Sequence, residues 1–331
     1  MKPGHRPYQS SAADAMREFL LYHRALGKRF DTEDRALNLF DRYLVDKKIP
    51  ALSDITPSVV NDFVRSRSRP VAKSHNHLVG VLRRWFDWLV AQERFGKSPL
   101  QLEPRPATGV RPPFLFDHIQ AQRLLEAAAQ LPDNNRGRHR AIQYPMMFAL
   151  LYGLGLRVGE VARLCLQDVD SGRRVLTIRE TKFLKSRLIP VGPKMHARLK
   201  DYLEKRERLM GHMEPADPLF SFSDGKTRAV HPVTISLTFH QLWPKLKLDV
   251  PPGVAPPRLH CLRHSFAVGT LLRWYRQGID PKARLLQLCT FMGHSHPSST
   301  AVYLTITSEL LQEANIRFQR FASPLIKEVA S

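Results

Sequence analysis

The chain has 331 residues, with 51 lysines and arginines against 30 aspartates and glutamates, so its formal charge at neutral pH is +21. That length accommodates two domains, and such a charge is self-repelling unless a polyanion is the usual partner; duplex DNA, with one negative charge per ~1.7 Å of axis, leads the candidates. Three cysteines (Cys165, Cys261 and Cys289) without a CxxC pair exclude a disulfide framework and a four-thiolate zinc site, and the longest apolar run, residues 146–156, is well short of the ~20 residues of a membrane span.

Residues 1–30 lack the apolar core of a secretory signal, so a cytoplasmic protein is expected, nucleoid-associated if DNA is its partner. From about residue 10 to residue 95 the pattern is helical: Met16, Phe19, Leu20, His23 and Leu26 recur at helical spacing, as do Leu78, Val81, Leu82, Trp85 and Leu89. Thr56-Pro57 reads as a capped helix start running into Arg65, Arg67 and Arg69, with Pro70 as its stop. Arg65, Arg67, Arg69 and Lys73, followed by Arg83 and Arg84, are candidate phosphate contacts; a solvated basic loop explains the first four equally well. Five prolines between residues 97 and 113 mark an extended linker. The expected division is therefore residues 1–100, a linker at 101–114, and a second domain at 115–331.

The second domain opens with helical patterns at 116–129 and 140–152, then a Gly153-Leu-Gly155 turn and a helix over 157–166. Strand signals at 173–179 and 187–191 predict a β-hairpin whose tip carries Lys182 and Lys185. Helical spacing resumes at 193–210, 232–245 and 258–277, and the chain closes on an amphipathic stretch at 308–321 bearing Leu310, Leu311, Ala314, Phe318 and Phe321. The fold class is thus mainly α with a small antiparallel sheet. Gly153-Leu-Gly155-Leu-Arg-Val-Gly159 is not a dinucleotide fingerprint, because its spacing differs and a helix precedes it.

Arg258-Leu-His260-Cys-Leu-Arg263-His264 follows Pro256-Pro257, which suit a helix start, so His260 and Arg263 lie one turn apart and can face one anion. Gly293-His294 precedes Tyr303 by a short step, and Asp280 is the sole carboxylate between Arg258 and Tyr303. Two-metal phosphoryl transfer needs clustered carboxylates, whereas a metal-free route needs fixed cations and donors around the phosphate. This composition favours the second. The histidines and Cys261 form no closed four-ligand zinc set, since Cys261 lies off the face that His260 shares with His264.

Gly155-Leu-Arg157-Val-Gly-Glu160, Thr181-Lys182-Phe-Leu-Lys-Ser-Arg187, His260-Cys-Leu-Arg263-His264, Gly293-His294 and Tyr303 resemble the ordered signature of the tyrosine recombinases, the phage integrase family. The resemblance implies a helical, SAM-like core-binding domain, a catalytic domain of the DNA breaking-rejoining fold, and the two closing on duplex DNA as a clamp. It makes Tyr303 the nucleophile, with Arg157 and Arg263 on the non-bridging oxygens of the scissile phosphate. His260 assists proton transfer, His294 hydrogen-bonds the phosphate, and Lys182, with Lys185 as the alternative, protonates the leaving 5′ oxygen. Lys185 and Arg187 also join the candidate DNA contacts.

The same resemblance implies a homo-tetramer on DNA, alone or with companion recombinases, in which the terminal helix docks on a neighbour, and a protein of a mobile genetic element. No metal, ATP or other cofactor is expected. Physical reasoning agrees: a phenol of pKa ~10 is a poor nucleophile at neutral pH, and guanidinium forks match two phosphate oxygens as a lysine cannot. Glu160 is expected to support the helical turn at Arg157, and Cys165 to be a small buried group. A type IB topoisomerase and a non-catalytic DNA-binding protein of the same fold are the alternatives. One departure stands out: the interval from Arg263 to His294 is longer than is usual in the family, with 273–284 as the added material.

Overall fold

The computed structural model describes residues 7–106, 109, 111–135, 137–179, 186–212, 214–222, 228–294 and 296–305. Lys182, Lys185 and the segment 308–321 lie outside these. The chain divides into two compact units between Val110 and Arg111, inside the expected linker. Among the described residues no helix is long and apolar enough to cross a membrane.

The first unit contains α1 (Ala13–Ala25), α2 (Asp31–Asp46), α3 (Pro57–Ser66) and α4 (Ala72–Ala91). Their apolar stripes meet in a core that includes Phe19, Phe40, Phe63, Trp85 and Phe86. The buried Asp41 carboxylate accepts from the Gln9 and Ser10 N–H groups and the Ser10 hydroxyl, which fastens the segment entering α1. Two expectations are corrected. Leu26 is 57% exposed, because α1 ends one residue before it. Thr56 does cap α3 at the Val59 N–H, but α3 stops at Ser66, whose hydroxyl bonds the Phe63 carbonyl, and so never reaches Pro70.

Part of the expected linker is held on this unit. Leu100 and Leu102 pack on its core; the Asn76 side chain donates to the Arg105 carbonyl at 2.7 Å and accepts from the Arg105 N–H at 2.8 Å. Of the basic candidates, Arg65, Lys73 and Arg84 are exposed, Arg84 within 3.3 Å of Glu33. The others are half-buried: Arg67 lies over the Phe63 ring, Arg69 donates to Ser74, and Arg83 donates to the Leu102 carbonyl.

The second unit contains α5 (His118–Ala129), α6 (Arg140–Gly153), α7 (Val158–Arg163), β1 (Val169–Asp170), β2 (Val175–Ile178), β3 (Arg187–Pro190) and α8 (Pro193–Met210). It continues with α9 (Pro232–Leu242), α10 (Cys261–Arg276), α11 (Pro281–Met292), α12 (Ser298–Ala301) and a 3-10 turn at Val302–Thr305. The antiparallel sheet runs β1-β2-β3, with Ile178 opposite Arg187 and Leu176 opposite Ile189. Leu176, Ile178 and Ile189 face the core, in which α6 is buried along most of its length.

Three elements differ from expectation. The helix after Arg157 is short, because Leu164 turns extended and its carbonyl takes the Leu219 N–H at 2.7 Å. α10 starts at Cys261 rather than at residue 258: the Cys261, Leu262 and Arg263 N–H groups first bond three residues back, to Arg258, Leu259 and His260. The added 273–284 material is the end of α10, a turn through Gly278 at φ +75°, and the first turn of α11, where Pro281 opens the helix and Asp280 caps the Lys282 N–H at 2.9 Å.

Candidate active site

Arg157 is set at the start of α7 by a left-handed turn. Gly155 has φ +60°, and a Cβ there would run into the Phe266 ring, so the position tolerates only glycine. One turn into α7 the Glu160 carboxylate, 3% exposed, accepts from the Arg157 N–H (2.9 Å) and Arg157 Nη1 (2.8 Å). From β3, Arg187 adds a two-pronged contact, Nη1 to Oε1 and Nη2 to Oε2, both at 2.9 Å. Burial alone would raise the Glu160 pKa, but the Arg187 hydrogen bonds and charge, then those of Arg157, outweigh it and hold the carboxyl at about 2. Arg187, whose side chain is 11% exposed, is therefore a brace inside the site.

The arginines converge on the end of α11. The last carbonyls of a helix lack intrahelical partners and carry partial negative charge. Here the Phe291 carbonyl accepts from Arg187 Nε (2.9 Å), Met292 from Arg263 Nη2 (2.7 Å) and Gly293 from Arg157 Nη2 (2.7 Å). Arg263 also donates to the Gly155 carbonyl, joining the turn of Arg157 to the helix end of His294. Gly293 has φ +67°, and a Cβ there would lie 2.6 Å from Arg187 Nη1. Burial, then the neighbouring Arg157 charge, lowers the Arg263 pKa to about 10, so the group remains a cation at neutral pH.

Three histidines and the tyrosine complete the cluster. His260 stands just before α10, and its ring meets that of His264 edge-on at 4.6 Å. His264 Nδ1 is 2.9 Å from the Tyr303 hydroxyl. His294 Nδ1 shares a 2.6 Å hydrogen bond with the Thr300 hydroxyl, and its ring is stacked at 6.4 Å from that of Tyr303. Tyr303 is 3% exposed among Ala267, Val268, Leu271, Leu288 and Met292. Burial raises its pKa, while Arg263 and Arg157 pull it down. His260 and His294 are lowered to about 4, chiefly by burial and then by neighbouring positive charge, so both rings are neutral at pH 7. With Nδ1 turned to Thr300, a neutral His294 can present Nε2–H to an anion.

The structure thus brings together Arg157, His260, Arg263, His294 and Tyr303 from four separate motifs. Arg65, Arg67, Arg69, Lys73, Arg83 and Arg84 belong to the other unit, and Lys182 and Lys185 fall outside the described residues. Glu160 supports the turn at Arg157 as expected. Sequence reasoning missed two contacts. His264 as partner of Tyr303 was signalled only by its spacing from His260, and Thr300 as partner of His294 by nothing local. Among the described residues no three His, Cys, Asp or Glu side chains group as a metal site would require.

Residues 115–309 match the model of the phage integrase family. The protein y4rB of Sinorhizobium fredii, described as an integrase/recombinase, is 34% identical over 94% of this chain and 98% of its own length. The tyrosine recombinase XerD of Shewanella oneidensis is 28% identical over 84% of this chain and 85% of its own. The fold is shared with the Tn1549 transposon integrase in complex with transposon right end DNA (TM-score 0.64, 17% identity, 93% of this chain and 98% of that one). It is also shared with a lambda integrase dimer bound to a core site (TM-score 0.59, 17% identity, 88% of this chain and 76% of that one). The chain belongs to the phage integrase family of tyrosine recombinases.

Proposed function

We propose that this chain is a site-specific DNA recombinase that cuts and rejoins duplex DNA through a 3′-phosphotyrosine at Tyr303. The observation that carries the reading is the convergence of buried Arg263 and Tyr303, half-buried Arg157 and His294, and exposed His260 in one cluster. In the reaction the Tyr303 oxygen attacks the scissile phosphorus while the bond to the 5′ oxygen breaks. Arg157 and Arg263 neutralise charge on the non-bridging oxygens, His294 donates a hydrogen bond there, His260 assists proton transfer, and Lys182 protonates the departing 5′ oxygen. Because phosphotyrosine retains the energy of the phosphodiester, a free 5′ hydroxyl can reseal the strand without ATP, and the guanidiniums supply the charge that a metal would otherwise provide.

In this reading the first unit is the DNA-gripping core-binding domain, with Arg65, Arg67, Arg69, Lys73, Arg83 and Arg84 facing phosphates and Lys185 joining them from the hairpin. A DNA-bound homo-tetramer, alone or with companion recombinases, is assembled through the 308–321 segment. The likeness to y4rB, described as an integrase/recombinase, supports the recombinase reading; the proposal adds a role in a mobile element and action inside the cell, on the nucleoid. The test is to incubate wild type and Tyr303→Phe with nicked duplex from the element's own ends in EDTA and look for a denaturation-resistant protein-DNA adduct. Adduct from wild type alone is expected. Adduct from both would move the nucleophile elsewhere; adduct from neither, with DNA bound, would favour a binding protein that retains the fold.

A further inference from the structure

His294 is held by two elements at once. Its backbone belongs to the end of α11, where the His294 N–H bonds the Cys289 carbonyl and the Gly293 N–H bonds that of Thr290, both at 3.0 Å, the paired bonds of a left-handed glycine cap. Its ring is tied to α12, with Nδ1 2.6 Å from the hydroxyl of Thr300. We propose that Thr300 is a positioning residue for strand cleavage: its hydroxyl donates to Nδ1 of His294 and so keeps the ring proton on Nε2, the nitrogen left to face the scissile phosphate, before DNA arrives. The role rests on His294 being the phosphate donor of the reading above.

A neutral imidazole carries one N–H and one lone pair, and a hydroxyl serves as donor or as acceptor, so a contact at Nδ1 admits either tautomer. A phosphate oxygen only accepts. For His294 to donate to it through Nε2, Nδ1 must keep the lone pair and Thr300 must supply the proton of the shared bond. A doubly protonated ring would serve as well, but burial and the charges of Arg263 and Arg157 lower His294 to about 4, so at pH 7 the ring has a single proton to place.

Thr300 is built to decide where that proton goes. It is fully buried, which keeps solvent from competing for Nδ1. Its backbone is fixed in the first turn of α12, where the Thr300 and Ala301 N–H groups both bond the Pro297 carbonyl at 2.8 Å. Tyr303, three residues further on, lies against the same imidazole with the rings 22° from parallel. One short segment therefore carries the nucleophile and the hydroxyl that aims the phosphate donor.

The experiment has two parts. The first reads the His294 tautomer at pH 7 by NMR of the DNA-free full chain with histidine labelled with 15N in the ring, the signals being identified by their loss in His294→Ala. We expect the proton on Nε2 in wild type and in Thr300→Ser, and a mixture of tautomers in Thr300→Val, which keeps the shape of threonine but offers no hydrogen bond. The second follows single-turnover adduct formation on the nicked duplex described above. Judged by partners that fix imidazole tautomers at metal sites, Thr300→Val should react ~10-fold more slowly than wild type while binding the duplex equally well. Thr300→Ser should regain most of the rate, and in a His294→Ala background Thr300→Val should change nothing further. A proton on Nδ1 in wild type, or a valine defect of the same size without His294, would overturn the assignment. Because the tautomer is read on wild type, the first outcome holds even where Thr300→Val fails to fold. Adduct from Tyr303→Phe, or none from wild type, would instead overturn the parent reading, whereas a proton on Nδ1 with normal adduct formation removes only the role of Thr300.

Discussion

The arginines of the first unit and those of the second find their partners in different ways. Around α4, Arg65 and Arg84 are exposed, and Arg69 and Arg83 bond nearby backbone at the margin of their unit. In the second unit Arg157 and Arg187 share a buried carboxylate, and together with Arg263 they bond three consecutive carbonyls. The same side chain is thus an exchangeable charge in one place and part of the framework in the other. Position in the fold, more than residue type, decides whether losing it costs binding or folding.

The largest effect should come from Glu160→Ala, which leaves two guanidiniums packed without their shared anion; such broken buried pairs cost ~3–5 kcal/mol. Denaturant melts of the full chain should show it, together with loss of the DNA adduct. A titration sharpens the same point. The folded pKa of Glu160, about 2, lies below its ordinary 4.5. The stability it contributes is therefore complete above that ordinary value and is lost as pH falls from 4.5 through about 2. Glu160→Gln should flatten the acid limb of the stability curve across that window, and an unchanged limb would mean the pair is not formed in solution.

Next comes Gly293→Ala, which forces a side chain into a left-handed conformation against Arg187; a loss of ~1–3 kcal/mol is expected, with slower cleavage because His294 follows directly. The smallest effect on folding belongs to Arg65→Ala and Lys73→Ala, each within ~0.5 kcal/mol of wild type. In exchange, each should weaken DNA binding and lower the slope of log affinity against log salt by ~1. A salt slope identical to wild type would remove that residue from the phosphate contacts.

How much of this was legible beforehand depended on whether the signal was local. α8 has the predicted ends, since Pro193 suits a first helical turn and Gly211, at φ +71°, follows the last residue. β2 and β3 pair as the alternating apolar residues required. Arg157, His260, Arg263, His294 and Tyr303 were found because each sits in a short motif. α11 was not read as an element: its buried stripe is narrow, and Leu286, 65% exposed, blurs the helical period. The helical spacing after Pro256-Pro257 suggests a start at residue 258, three residues too early, because N–H groups bonded three residues back intervene. The place of Arg187 on a basic hairpin suggests a DNA contact, whereas its guanidinium grips the Glu160 carboxylate. Its carboxylate lies 27 residues back, and no local pattern joins the two.

The triple seating on α11 bears on how variants of this site can be interpreted. On the proposed reading, replacing Arg157 or Arg263 removes a charge from the phosphate, and in the structure it also releases the carbonyl of Gly293 or of Met292. Losses measured for these positions singly therefore overlap. A double substitution of Arg157 and Arg187, which share Glu160, should differ from the sum of the singles by ~0.5–3 kcal/mol. Rate defects at these arginines are joint quantities, and only a full cycle of single and double variants can separate charge from placement.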